Sequence, residues 1–209
     1  MFPGKVSNTL WFEQARAFQR QMNIPKLILA SASPRRSELL RRLGIDFHVV
    51  IGQVDEIAGE HLSPHELVRI NAYRKARAVS KKYVDYLVIG ADTTVCLGHR
   101  SFGKPTDLAD AERMLEQLQG RTHEVVTAIC LVHLRDHRQK VFAESTSVTF
   151  RTLNNESIRQ YLSVIDPLDK AGAYAIQEKA DMIVRGFSGS FSNVVGLPLE
   201  RLQIELETW

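Results

Sequence analysis

The sequence predicts a single mixed α/β unit. Three observations carry that expectation. A short apolar strand, "KLILA" (Lys26 to Ala30), runs directly into a helix. A second Ser-Pro start opens another helix before a long apolar strand. Two strand-like runs then flank the polar turn "RDHRQ", which makes a hairpin and so a mixed sheet.

The chain has 209 residues, 44% hydrophobic and 24% charged, enough to bury a full core. A net charge of +3 is too mild to argue for nucleic acid, although small anionic ligands remain open. Cys96 and Cys130 sit in apolar runs without metal-ligand spacing and read as buried reduced thiols, which favours a reducing compartment. No apolar run approaches the length of a membrane span. In residues 1–25, Phe12, Ala15 and Phe18 suggest a short amphipathic helix, an N-terminal extension packing on a domain of residues 26–209. A transit peptide fits less well because acids are present.

Each element follows from its local pattern. After "KLILA", Ser33 and Pro34 suit an N-cap and a first helical position. Leu39, Leu40 and Leu43 share a face, and Gly44 closes the helix. "FHVV" is a second strand, followed by a loop with Asp55 and Glu56. Ser63-Pro64-His65-Glu66 completes a capping box, and helical spacing runs to about Lys82. "YLVIGADTTVCL" (Tyr86 to Leu97) reads as a buried strand interrupted at Gly90-Ala91-Asp92. Thr106 or Asp107 caps a helix that ends at Gly120. The hairpin follows, then a helix over "NNESIRQYLSVI" that stops before Pro167. "AGAYAIQ", "MIVRGFSG" and "SNVVGLPLERLQIELE" finish the chain as short strands, glycine turns and a last helix.

The two Ser-Pro helices differ at one telling place. The second carries Glu66 at its third helical position, whereas the first carries Arg36 there with Arg35 beside it. Cations at a helix N-terminus oppose the dipole by roughly 0.3–1 kcal/mol each. With Ser31, these arginines suit phosphate oxygens at a strand end, where open α/β sheets bind ligands. The other reading has them solvated or paired with acids elsewhere. If their partner is a ligand, Arg36→Ala is expected to leave the ligand-free protein equally or more stable.

Asp92, just beyond an apolar strand core, is either a turn residue or a functional carboxylate that holds metal or takes a proton from water. Asp55-Glu56 is either solvated or a second carboxylate. Lys75 interrupts an apolar stripe and either snorkels or reaches into a cleft. Lys104, between Gly103 and Pro105, is a rigidly held cation. Asp169-Lys170 and Gln177 share a glycine-containing segment, and a glutamine amide can read a base edge. There is no P-loop, dinucleotide fingerprint, nucleophile elbow or HExxH motif.

"LILASASPRRSELLRRLG", "RKA", "IGADTTV", "GKPTD", "GRTHEVVTA", "DKAGAYAIQ" and "SNVVGLPLE" stand in the order typical of the Maf family. The resemblance runs from about Lys26 to Leu206. It implies a long mixed β-sheet flanked by helices, with two lobes and a central cleft, similar to the inosine triphosphate pyrophosphatases. It implies a cytoplasmic nucleoside triphosphate pyrophosphatase that cleaves between the α and β phosphates with a divalent cation, Mg or Mn. On this resemblance Ser31, Arg36, Lys75 and Lys104 bind phosphate, Glu56 and Asp92 hold metal, and Asp92 is the proton acceptor. Arg35, Thr93 and Gln177 set substrate specificity, as in the dTTP/UTP branch. Gly103 departs from the glutamate usual there and matches the 7-methyl-GTP branch, and Ala175 replaces a common glycine. The alternatives are a pyrophosphatase for 7-methyl-GTP or other modified nucleotides, and a non-catalytic regulator of septum formation. The family also suggests a homodimer.

Overall fold

A computed structural model describes residues 24–57 and 61–209. The expected helix around Phe12, Ala15 and Phe18 lies outside the described residues. The strands are β1 (Leu27–Ala30), β2 (Phe47–Val49), β3 (Leu87–Leu97), β4 (Arg100–Phe102), β5 (Thr122–His133), β6 (Arg138–Phe150) and β7 (Val184–Ser188). The helices are α1 (Pro34–Arg41), α2 (Pro64–Ser80), α3 (Leu108–Leu118), α4 (Asn155–Leu162), α5 (Ala180–Ile183), α6 (Phe191–Val195) and α7 (Leu199–Glu207).

The strands form one mixed sheet in the order β2-β1-β3-β5-β6-β7, with β4 pairing onto β3. β1 is parallel to β2 and β3, while β3, β5, β6 and β7 run antiparallel in turn. Helices cover both faces. Leu39 and Leu40 of α1 and Leu202 and Leu206 of α7 pack on Leu27, Leu29 and Leu87. On the opposite face Val68, Ala72 and Ala76 of α2 meet Ile28, Val88 and Cys130. Leu115 of α3 and Ile158 and Tyr161 of α4 build a third cluster with Phe150. Burial of these side chains from water is the main stabilising contribution.

The contrast between the two Ser-Pro starts is real. Ser63 Oγ accepts from the Glu66 amide at 3.3 Å and Glu66 Oε2 accepts from the Ser63 amide at 2.9 Å. Ser33 makes no side-chain cap bond. Asp107 rather than Thr106 caps α3, accepting from the Asp110 amide at 2.7 Å. Burial pushes the Cys96 thiol up to about 11 and the Cys130 thiol up to about 12, so both stay protonated. No helix among the described residues is long and apolar enough to cross a membrane.

Two expectations are corrected. β3 is continuous from Leu87 to Leu97, with no break at Gly90-Ala91-Asp92. Gly90 is there because α2 lies against it: a Cβ would stand 2.3 Å from the Ala72 carbonyl oxygen and 2.6 Å from the Ala76 amide. Nor is "AGAYAIQ" a strand. It opens with a 3-10 turn at Ala171–Ala173, in which Gly172 has φ +69 and Ala173 φ +62. Left-handed backbone cannot join a ladder.

Candidate active site

The site exists because the sheet forks. β3 pairs with β1 only as far as Gly90 and with β4 only from Val95. Between these points its edge on that side is open, and a cleft of about 490 Å³ lies against it. Side chains alternate across a strand. Asp92 therefore points to the face covered by α2, and Thr93 points to the face covered by α1 and α6. One strand supplies two differently built halves of a single cleft.

On the α2 face, Lys75 Nζ donates to Asp92 Oδ1 at 2.5 Å and to Glu56 Oε1 at 2.6 Å. The lysine neither snorkels nor points into water: its side chain is 17% exposed. Asn71 holds this arrangement from behind. Its Nδ2 donates to Asp92 Oδ2 at 3.3 Å, and its amide clamps both backbone groups of Ile57. The loop carrying Glu56 is thereby tied to α2. Burial raises the Asp92 carboxyl above its usual value, against the opposing pull of Lys75 and Arg36. Burial would also raise Glu56, but Lys75, with Lys104 and Arg36 behind it, outweighs burial and holds that carboxyl below its usual value.

Two carboxylates converging on one cationic point are a hard-oxygen donor pair. They fit Mg²⁺ or Mn²⁺, which keeps several waters and takes further ligands from phosphate. No cluster of three or more acidic, histidine or cysteine ligands exists among the described residues.

On the Thr93 face, Arg36 is bonded to groups of the protein itself. Its Nε donates to the Gly196 carbonyl at 2.8 Å and Nη1 to the Ala91 carbonyl at 3.0 Å. Nη1 also reaches Ser31 Oγ at 3.3 Å, and Nη2 reaches Thr93 Oγ1 at 2.9 Å. Four of the five guanidinium N–H groups are thus used inside the protein. Burial lowers its pKa while Asp92 and Glu56 raise it, and an arginine stays charged throughout. The Ala91 carbonyl lies on the strand edge that β1 no longer covers, and Arg36 satisfies it.

Arg35 has a partner in the chain after all. Its Nη1 meets Asp169 Oδ2 at 2.5 Å and its Nη2 meets the Asp169 carbonyl at 3.1 Å. This bond ties α1 to the segment that carries Gln177. Lys170 is 5% exposed and donates to the Asp166 carbonyl at 2.6 Å and to Asp169 Oδ1 at 2.8 Å. Ser31 Oγ accepts from the Ser33 amide at 3.2 Å. Lys104 lines the cleft and forms no ion pair among the described residues. Gln177 lines it too, exposed.

The nine residues to which the family resemblance gave site roles line this one cleft: Ser31, Arg35, Arg36, Glu56, Lys75, Asp92, Thr93, Lys104 and Gln177; Asp55 does not. Sequence reasoning missed Asn71 and Thr127. A polar residue within the apolar stripe of α2 was the available signal for Asn71. Thr127 offered none, since a threonine in a strand is ordinary. The Thr93 side of the cleft also presents Val95, Val125, Ile176 and Val194, apolar surface suited to a flat ring.

A forked α/β sheet with cations around a pair of carboxylates, and an apolar wall opposite, defines a protein that handles phosphorylated organic anions. A family model described as Maf-like protein matches residues 26–209. The chain belongs to the Maf family. It is 47% identical over 184 residues to a dTTP/UTP pyrophosphatase of Acetivibrio thermocellus, covering 85% of this chain and 92% of that one. It is 50% identical over 176 residues to a dTTP/UTP pyrophosphatase of Symbiobacterium thermophilum, covering 84% and 90%. A relative of the same description from Bacillus cereus is 43% identical over 185 residues, covering 88% and 90%.

Proposed function

We propose that the protein hydrolyses dTTP and UTP to the monophosphate and pyrophosphate. The observation that carries this reading is the division of the cleft by β3. Asp92, Glu56 and Lys75 lie on one face, and an apolar pocket with Thr93 lies on the other. Its similarity to dTTP/UTP pyrophosphatases supports the same reading.

In this reading the ligand spans the fork, with its triphosphate toward Ser31, Arg35, Lys75 and Lys104. The α1 amides that Ser33 leaves uncapped favour the same negative charge. Water attacks the α-phosphorus, the bond from that phosphorus to the bridging oxygen breaks, and pyrophosphate leaves. Asp92 takes the proton from the water, a task suited to a carboxyl that burial has made more basic. Glu56 and Asp92 would hold a divalent cation, which supplies neutralisation of charge on the phosphate oxygens. Lys75 keeps the two carboxylates together at the open edge. Arg36 acts by shaping the site: its bonds to Ser31, Ala91, Thr93 and Gly196 fix both halves relative to each other.

The Gly103 departure carries little weight against this reading. A Cβ at that position would meet nothing within 4 Å, so the fold does not demand a glycine there. Two buried, protonated thiols fit a reducing, cytoplasmic setting.

The test is pyrophosphate release from the purified full chain with Mg²⁺ or Mn²⁺ across dTTP, UTP, CTP, 7-methyl-GTP and ITP. Turnover of dTTP and UTP that a chelator abolishes is expected. Preference for 7-methyl-GTP overturns the base assignment, and no release with any nucleotide overturns the enzyme.

A further inference from the structure

Thr93 and Thr127 stand directly opposite each other on β3 and β5, their hydroxyl oxygens 3.0 Å apart. A hydroxyl has one proton to give and two lone pairs. Thr127 Oγ1 lies 3.0 Å from the Asn193 carbonyl, which can only accept. At the other end, Arg36 Nη2 can only donate, and it reaches Thr93 Oγ1 at 2.9 Å. A guanidinium at one end and a carbonyl at the other give the chain one direction. Protons run from Arg36 to Thr93, from Thr93 to Thr127, and from Thr127 to Asn193. The reverse orientation of the two hydroxyls would take a donor from Asn193 and leave the Thr93 proton without a protein acceptor.

The carbonyl end is rigid. Asn193 is fully buried, and its Nδ2 donates to the Val125 carbonyl and to Thr146 Oγ1, each at 2.9 Å. Thr127 is also fully buried and never meets a ligand. Thr93 is partly exposed and lines the cleft. Gly196 keeps its front open, because a Cβ there would stand 3.4 Å from Thr93 Oγ1. With its proton committed inward, Thr93 offers the cleft a lone pair and nothing else.

We infer that Thr127 is a positioning residue for base selection: it makes the Thr93 hydroxyl an obligate acceptor, so the cleft favours a ring that presents an N–H. Uracil and thymine present an imide N3–H. Cytosine presents a lone pair at the same ring position and is disfavoured there. This rests on the reading of the cleft as a dTTP and UTP site.

The experiment compares kcat/KM for UTP and CTP in the wild type, Thr127→Val and Thr127→Ser, with the melting temperature of each. The wild type is expected to prefer UTP. T127V frees the Thr93 proton and is expected to lower the UTP-to-CTP ratio about five- to tenfold. T127S, which restores the hydroxyl, is expected to keep the ratio. A T127V protein that melts like the wild type with an unchanged ratio overturns the inference. If T127V melts far below the wild type, Thr93→Val removes the acceptor directly, and an unchanged ratio in that variant overturns the inference equally. An active wild type with no preference for UTP over CTP overturns it as well. A wild type inactive on both UTP and dTTP overturns the underlying functional reading instead, and this inference with it.

Discussion

Arg36 donates to the Ala91 carbonyl at 3.0 Å, at the point where β1 has ended and β4 has not begun. A second bond, to the Gly196 carbonyl, ties the same guanidinium to the turn after α6. The positive charge at the start of α1 therefore completes the edge of a forked sheet.

Arg36→Ala is accordingly expected to destabilise the ligand-free protein. This replaces the sequence-based expectation that the change would be neutral or favourable. Loss of the side chain strands the Ala91 and Gly196 carbonyls, a cost of about 2–4 kcal/mol that far exceeds any relief of the helix dipole. Thermal melting without nucleotide is expected to fall by several degrees. An unchanged or higher melting temperature would return Arg36 to the role of an unpartnered phosphate ligand.

Gly90→Ala is expected to cost about 3 kcal/mol or more, because the new methyl would overlap the α2 backbone at Ala72 and Ala76. Helix backbone cannot swing aside as a flexible side chain can. Denaturant unfolding reads the change. A loss below about 1 kcal/mol would mean that α2 slides on the sheet, and with it Lys75 and Asn71.

Asn71→Ala tests the link between α2 and the two carboxylates. It frees both backbone groups of Ile57 and removes the bond to Asp92 Oδ2. Turnover of dTTP is expected to fall about ten- to a hundredfold, chiefly in kcat, while Asp92→Asn is expected to abolish turnover and leave nucleotide binding largely intact. Near-normal hydrolysis by Asp92→Asn would remove Asp92 from the chemistry.

His123 gives the molecule a pH dependence that can be measured apart from catalysis. Its Nε2 shares a 2.9 Å hydrogen bond with Tyr174 Oη, which lies at the cleft wall, and its ring sits edge-on to Phe150. Burial lowers its pKa from 6.5 to about 4. The unfolded chain binds a proton near the higher value and the folded chain only near the lower. Its contribution is therefore full above pH 6.5 and falls as the pH drops toward about 4. Across that window the loss amounts to about 3 kcal/mol. Replacing His123 by leucine is expected to flatten this part of the stability profile, followed by urea unfolding at several pH values. An identical profile in the variant would show that another group dominates acid unfolding.

Much of this protein is written locally. The capping box at Ser63, its absence at Ser33, the hairpin and the run of strands and helices all follow from neighbours in the chain, because caps, turns and periodicity act over a few residues. Of the nine residues given site roles, eight lie in the ordered motifs, and Glu56 lies outside them. What the sequence could not carry is who touches whom. The break expected at Gly90 is a continuous strand because α2, distant in sequence, needs a residue without a side chain there. Arg35 and Arg36 looked like cations without partners because Asp169, Ala91 and Gly196 come beside them only through the sheet order. The difference between Asp92 and Thr93, adjacent in sequence and opposite in role, arises from strand alternation at a fork that no local pattern announces. Local propensity determined the elements. The tertiary structure decided which face of β3 each functional group would serve, because contacts between distant segments exist only once the sheet has formed.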